Sequence, residues 1–172
     1  MSAFRDEKTA GRAGLLSEAT RQRIDHWVAK FPEGKQRSAV IQALVAAQDQ
    51  NGGWLDREMI EAVADYLSIP PVWAAEVASF YSMLHTQPVG RHKISICTNI
   101  SCWLNGAEDL VRHAEEKLGI PLGGTTEDGR ITLVVEEECV AACVGAPMMV
   151  VDGHYHENLD FRRFDEIVDA LE

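Results

Sequence analysis

Apolar residues in the first half of the chain recur at the spacing of α-helices. Four segments carry them three or four positions apart, and each segment lies between capping residues and helix breakers. The segments begin near Ser17, Ser38, Asp56 and Pro71, and prolines or glycines mark their ends. The pattern therefore predicts a small helical bundle over residues 17–82.

The fourth predicted helix runs from about Pro71 to Tyr81. Proline suits its first position, where a missing N–H costs nothing. Helical spacing brings Trp73, Val77 and Phe80 together on one face.

The apolar period changes after the break at Gln87–Gly90. Alternation, which is typical of strands, replaces the helical spacing, although two helical segments remain. The predicted elements are a strand of Ile94 and Ile96 that runs into Cys97, a helix over Trp103–Leu118, a strand of Ile131, Leu133 and Val135, a hairpin of Met148–Val151 and His154–His156, and a helix capped by Asp160 with Phe161, Phe164, Val168 and Leu171 facing inward. This β-α-β-β-β-α order predicts a small α/β sandwich with a mixed sheet.

The two patterns together predict an α+β protein of two domains. We assign residues 1–16 to a flexible N-terminus, residues 17–86 to a helical domain and residues 87–172 to an α/β domain. A chain of 172 residues is long enough for two small domains with cores of their own.

Charge narrows the range of partners. The chain has 16 basic and 27 acidic residues, and a net charge of −11. Such a surface repels phosphate groups, so direct binding to nucleic acid or to an anionic lipid surface is not expected. No apolar run reaches the roughly 20 residues of a membrane span, and the N-terminal stretch has no apolar leader region. We expect a cytoplasmic protein without direct membrane insertion.

Four cysteines, all in the acidic second half, carry the candidate chemistry. They are Cys97, Cys102, Cys139 and Cys143, spaced C-x4-C and C-x3-C. Each pair follows a predicted strand. If those strands are parallel, both loops leave the same edge of the sheet and the four thiols converge. A [2Fe–2S] cluster needs four thiolates, so each pair would hold one iron.

Other interpretations of the cysteines stay open at this point. Four thiolates also bind structural zinc, although zinc pairs usually have shorter spacings. Two disulfides or four unrelated core cysteines are further alternatives. A dithiol oxidoreductase is disfavoured because the C-x-x-C spacing is absent. Trp103, next to Cys102, either shields a bound cluster from water or opens its helix into the core.

No other constellation predicts catalysis. The glycines form no nucleotide-binding fingerprint, and no nucleophile with a partner base stands out, so we predict no catalytic residue in this chain. The acidic run Glu136, Glu137 and Glu138 precedes Cys139 directly. We interpret it either as a solvated surface or as a set of charges that lowers the cluster's reduction potential.

In several stretches of its sequence the chain resembles the 24 kDa-type [2Fe–2S] subunit of NADH:quinone oxidoreductase, respiratory complex I. The resemblance covers most of the chain from about residue 20 to the end. The matching stretches are QDQNGGW at Gln48–Trp54, VASFY at Val77–Tyr81, QPVG at Gln87–Gly90, CTNISCWLNG at Cys97–Gly106, TTEDG at Thr125–Gly129 and ECVAACVGAP at Glu138–Pro147.

The resemblance implies a thioredoxin-like domain with a mixed four-stranded sheet, which holds one [2Fe–2S] cluster through Cys97, Cys102, Cys139 and Cys143. It also implies that the helical domain docks on a partner subunit that binds flavin and NADH. FMN and NAD(H) are then expected on that partner only. Other subunits of the peripheral arm are expected as further partners of this chain. The complex would lie at the inner face of the membrane, and this chain would be the electron-transfer subunit of an oxidoreductase.

Members of this family also occur in NAD-dependent formate dehydrogenases and in bidirectional hydrogenases, which are therefore alternative assemblies. A zinc-stabilised interaction module without redox activity is the alternative from a different class. The chain departs from the family in one place, because Val140-Ala141-Ala142 stands where Leu-Gly-Ala is common. We expect this to affect the packing of the loop and to leave the ligands in place.

Overall fold

The computed structural model describes residues 11–135 and 139–172. Its internal contacts divide the chain into two compact units, one up to Pro88 and one from Val89 onward. Each unit has its own apolar core. None of the helices in the described ranges is both long and apolar enough to cross a membrane.

The first unit is built from four helices. They are α1 (Glu18–Val28), α2 (Val40–Gln50), α3 (Arg57–Leu67) and α4 (Pro71–Phe80). Two of the predicted caps are present, since the Ser17 side chain accepts a hydrogen bond from the backbone of Thr20, and Asp56 accepts one from Met59. The sequence prediction of a helical bundle agrees with this unit.

The chain just before α1 has regular structure over the last residues of the segment that was expected to be a flexible N-terminus. Residues 1–10 of that segment lie outside the described part of the chain. Arg12–Leu15 form a 3-10 helix, and Ala13 and Leu16 are almost fully buried. Arg12 also pairs with Glu61 on α3, with 2.7 Å between the charged atoms. Burial of apolar side chains therefore fixes this stretch, which lacks a helical repeat long enough to predict it.

Helix α4 is apolar on more than one side. Ala74 and Ala78 are buried in the core, whereas Phe80 is 78% exposed and Trp73 is 36% exposed. The three residues that helical spacing groups on one face therefore differ in environment, since Val77 is partly buried against the core. The small residues of α4 lie against the neighbouring helices α2 and α3.

The second unit contains a mixed four-stranded sheet, as predicted. Its strands are β1 (His92–Ile96), β2 (Ile131–Leu133), β3 (Met149–Val151) and β4 (His154–His156), in the order β2-β1-β3-β4. Strands β1 and β2 are parallel, and the other two pairings are antiparallel. Val135 lies beyond the end of β2 and is 66% exposed, so the second strand is shorter than its alternation predicted.

Three helices complete this unit: α5 (Ile100–Leu104), α6 (Ala107–Leu118) and α7 (Phe161–Asp169). One helix over Trp103–Leu118 was expected, but Gly106, with φ of +90°, separates α5 from α6. Phe164 and Val168 of α7 are buried as predicted. Phe161 is half-exposed instead and stacks on His113, with 4.6 Å between the ring centres.

Candidate metal centre

The first cysteine loop begins where strand β1 ends. Cys97 follows Ile96, and its backbone N–H donates to the carbonyl of Met148 over 3.1 Å. This bond extends the pairing of β1 with β3 by one residue. Helix α5 then carries Cys102, and both cysteines are 3% exposed or less. Both thiols are thus held in the interior of the unit.

An apolar wall surrounds this first pair. Cys97 and Cys102 form one buried cluster with Ala107, the first residue of α6, and Met148, the residue before β3. Four partly buried residues, which are Val140, Ala142, Ala146 and Val150, pack against that cluster. Because three of them belong to the second cysteine loop, the structure brings the two loops into contact.

Asn99 contacts the first pair through its side chain. Its amide nitrogen lies 3.9 Å from the sulfur of Cys97, within reach of a weak N–H···S hydrogen bond. The backbone carbonyl of Asn99 accepts a 2.8 Å hydrogen bond from the backbone N–H of Trp103, which stabilises the first turn of α5. Asn99 therefore links the position of Cys97 to the helix that carries Cys102.

The second pair lies at the surface. Cys139 and Cys143 are exposed, and their sulfurs are 3.9 Å apart. Two thiolates bound to one tetrahedral metal ion at about 2.3 Å are about 3.8 Å apart. The spacing of this pair therefore fits two ligands of one metal ion. All four cysteines are free thiols.

The environment of Cys102 favours its protonated form when no cation is present. Burial, a hydrogen bond with Cys97 and the charges of Cys97 and Cys143 raise the pKa of Cys102 to about 11, against a smaller opposite effect of the Met148 backbone. A metal centre held by these thiols would supply the positive charge that stabilises their ionised form, with release of protons.

The four thiols stand as two pairs, and the structure does not gather them around one point. In residues 11–135 and 139–172, no group of three or more His, Cys, Asp or Glu side chains lies around one point that suits a metal ion. A [2Fe–2S] cluster needs two thiolates at each iron, which is what two pairs offer. The donor set therefore fits this cluster, with the pairs Cys97/Cys102 and Cys139/Cys143. Glu136, Glu137 and Glu138 lie outside the described residues, and their effect on the potential stays a prediction.

Each loop contains one residue with left-handed backbone. In the first loop it is Gly106, and in the second it is Ala141, with φ of +60°. Glycine adopts this conformation readily, whereas a residue with a Cβ does so at a cost. Ala141 stands at the position where the family commonly has glycine, so the departure seen in the sequence falls on the most demanding backbone of the loop.

Three residues around the cysteines were not singled out from the sequence. They are Asn99, Ala107 and Met148, which contact the first pair. The sequence offered one indication of these residues, which is that they lie next to the ends of predicted strands and helices. Trp103 is 48% exposed, so the interpretation that it opens its helix into the core is wrong.

The fold and the thiol pairs define a class, a small α/β protein with two cysteine pairs of the kind that hold metal centres. Comparison with known proteins makes this specific. The profile of the thioredoxin-like [2Fe-2S] ferredoxin family matches residues 24–172. The chain belongs to this family, which confirms the resemblance drawn from the sequence.

Curated relatives are named as subunits of one enzyme, NADH-quinone oxidoreductase. The relative from Rickettsia conorii is 43% identical over 145 residues, which cover 84% of this chain and 86% of the relative. The relative from Rhizobium meliloti is 42% identical over 151 residues, with 88% of both chains covered. The similarity therefore extends over both units.

A solved structure shares the fold. The NAD+-reducing [NiFe]-hydrogenase in its air-oxidized state matches with a TM-score of 0.63 and 26% identity over 74% of this chain. The match covers only 22% of the hydrogenase chain. The likeness supports the thioredoxin-like fold, and it concerns about a fifth of a longer protein.

Proposed function

We propose that this chain is the electron-transfer subunit of an NADH dehydrogenase module within NADH:quinone oxidoreductase. The observation that carries the proposal is the arrangement of two thiol pairs, one after each of two parallel segments of the sheet, in a member of the thioredoxin-like [2Fe-2S] ferredoxin family. The names of the curated relatives support the choice of complex.

The proposed ligands are Cys97, Cys102, Cys139 and Cys143. A bound [2Fe–2S] cluster supplies storage of one electron at a time. The protein residues hold it and control its access to water. The buried pair, with Ala107 and Met148, closes off one side from solvent, while the exposed pair leaves the other side at the surface. Electron exchange through that surface is proposed to involve FMN on a partner subunit, which also binds NAD(H).

The helical unit is proposed to dock that partner. Residues 17–86 contain no cysteine, and helix α4 presents large apolar side chains to the outside. Val72 and Phe80 are 58% and 78% exposed, and Met83 beyond the helix is 50% exposed. Aromatic residues and methionine are enriched at the cores of protein interfaces. We further propose that the complex places this chain at the cytoplasmic face of the membrane, beside other peripheral subunits.

One observation favours a second assembly. One solved structure that shares the fold is an NAD+-reducing hydrogenase. An equivalent role in a bidirectional hydrogenase or an NAD-dependent formate dehydrogenase uses the same cluster and the same kind of flavin partner. Co-purification of the native complex, followed by tests for quinone reduction, hydrogen oxidation and formate oxidation, separates these assemblies.

The cluster itself is tested on the anaerobically purified chain. We expect two irons and two labile sulfides per chain, with a brown colour, and no NADH oxidation until the flavin-binding partner is added. A colourless protein with stoichiometric zinc would support the zinc-stabilised module and contradict the proposal. For docking, Phe80→Ser with Met83→Ser should weaken capture of the partner, whereas Leu15→Ser, at another exposed apolar residue, should not.

A further inference from the structure

The exposed cysteine pair has a chemistry of its own when no cluster is bound. Cys139 and Cys143 are free, exposed and in contact, with their sulfurs 3.9 Å apart. Sulfurs in a disulfide are about 2.05 Å apart, so the pair needs to close by only about 1.9 Å. Both side chains are exposed to solvent, and Cys143 begins the 3-10 helix Cys143–Gly145.

The buried pair differs in access. Cys97 and Cys102 are 3% and 2% exposed and lie behind Ala107 and Met148. An oxidant dissolved in water reaches the sulfurs of the second pair directly, but it reaches the first pair only if the unit opens. Solvent access is a main determinant of which thiols oxidise.

We propose that Cys139 and Cys143 form a disulfide in the cluster-free chain, and that this bond keeps the cluster out until a thiol reductant removes it. The pair is thus a redox-sensitive modification site. Disulfide formation is independent of the function proposed above, whereas the block on cluster binding rests on it. Only two thiols remain in the oxidised chain, and a [2Fe–2S] cluster needs four.

The oxidation balances with hydrogen peroxide as the oxidant. One sulfur breaks the O–O bond and becomes a sulfenic acid, with release of one water molecule. The second sulfur then attacks the first and displaces its hydroxyl group as another water molecule. The two thiols lose two electrons and two protons, and the peroxide gains both. Thiol–disulfide exchange with a dithiol reductant reverses the reaction.

Trypsin separates the two pairs for mass spectrometry. Cleavage after Lys93 and Arg112 leaves Cys97 and Cys102 in the peptide of residues 94–112. Cleavage after Arg130 and Arg162 leaves Cys139 and Cys143 in the peptide of residues 131–162. A disulfide within either pair makes its own peptide lighter by two hydrogen atoms, and a bond between the loops joins the two peptides.

The experiment treats the full, reduced, cluster-free chain with a small excess of peroxide, followed by rapid alkylation and digestion. We expect the disulfide in peptide 131–162 to form at least tenfold faster than that in peptide 94–112. In denaturant the two rates should become similar, since burial no longer protects the first pair. Equal rates in the folded chain, or joined peptides as the main product, would overturn the proposal.

Matched variants locate the reaction. The double variant Cys97→Ser with Cys102→Ser should oxidise its remaining pair at the wild-type rate. Cys139→Ser should form no disulfide in peptide 131–162, although the fold stays intact by circular dichroism, because that side chain is exposed. A disulfide that requires Cys97 or Cys102 would contradict the assignment.

Cluster uptake tests the second part of the proposal. The oxidised chain should take up less than a tenth of the iron and sulfide that the reduced chain binds, and a dithiol should restore uptake fully. Equal uptake by the oxidised chain would refute the block. If even the reduced chain binds no iron, the proposed function fails, while the mass spectra still decide whether the disulfide forms.

Discussion

Two cysteine pairs, spaced C-x4-C and C-x3-C, occupy opposite environments. Cys97 and Cys102 are buried against Ala107 and Met148, whereas Cys139 and Cys143 are exposed. Packing from α6 and the start of β3 holds the first pair. The second pair stays at the surface although Val140, Ala142 and Ala146 of its loop pack against the first pair, and Ala141 in that loop has left-handed backbone. The comparison teaches that packing encloses one pair completely and leaves the other open to solvent.

The largest expected effect is the same for the buried pair and for the exposed pair. Alanine at any one of Cys97, Cys102, Cys139 or Cys143 should reduce bound iron from two atoms per chain to nearly none, because two thiolates are needed at each iron. Iron and sulfide analysis with electron paramagnetic resonance measures this. Ser101→Ala, beside Cys102, is the control and should retain the cluster. Full iron content in all four cysteine variants would show that the pairs are not the ligands.

The next largest effect tests whether packing holds the first pair, through the buried residue Met148 beside it. Met148 is 1% exposed, so Met148→Ala should lower the free energy of unfolding of the reduced, cluster-free chain by about 2–5 kcal/mol. Val144, in the second loop, is fully exposed. Val144→Ala should therefore change the free energy of unfolding by less than about 0.5 kcal/mol.

Denaturant unfolding followed by circular dichroism measures both variants. Met148→Leu keeps most of the volume and should cost less than about 1.5 kcal/mol. If Met148→Ala and Val144→Ala are equally mild, the first pair is not held by packing, and the comparison fails.

Backbone conformation makes the next contrast. Gly106 has φ of +90° and open space where a Cβ would lie, so Gly106→Ala tests conformation without a clash. We expect a loss of about 1–2 kcal/mol in the free energy of unfolding. Gly11 also has open space, but its φ is −124°, and Gly11→Ala should be nearly neutral. Equal effects at the two glycines would mean that the left-handed backbone does not matter.

The smallest expected effect has the opposite sign. Ala141→Gly removes the cost of a left-handed alanine, which is about 1–2 kcal/mol. The greater chain entropy of glycine in the unfolded state offsets about 0.5–1 kcal/mol of that gain. A gain of about 0.5–1 kcal/mol is expected, with slower loss of the cluster to a chelator. Ala142, with φ of −88°, is the control, since Ala142→Gly should only destabilise. A loss of stability in both variants would contradict the role of Ala141.

Local patterns predicted much of the architecture. Helical spacing and caps located the four-helix bundle, because a side-chain period of 3.6 and a capping carboxylate or hydroxyl are properties of a short segment. Alternation located the strands and the β3–β4 hairpin, and the structure confirms that hairpin. The family followed from motifs around the cysteines, and the sequence profile confirms it.

Other features escaped prediction since they depend on residues far apart in the chain. The orientation of α4 could not be predicted because spacing cannot choose between two apolar faces, and only the fit of Ala74 and Ala78 against other helices decides. Phe161 meets His113 of α6 instead of the core. The split between α5 and α6 was missed because Gly106 stands inside an otherwise helical pattern.

The sequence by itself determined which thiols exist, how they pair and where they stand relative to the strands, because spacing along the chain limits what each loop can reach. Only the tertiary structure decided that one pair is buried and the other exposed. Burial depends on which side chains of α6 and β3 arrive at the same place, and the chain specifies that only after it has folded. The difference in reactivity proposed for the two pairs therefore has its physical origin in packing, since the residue type is the same at all four positions.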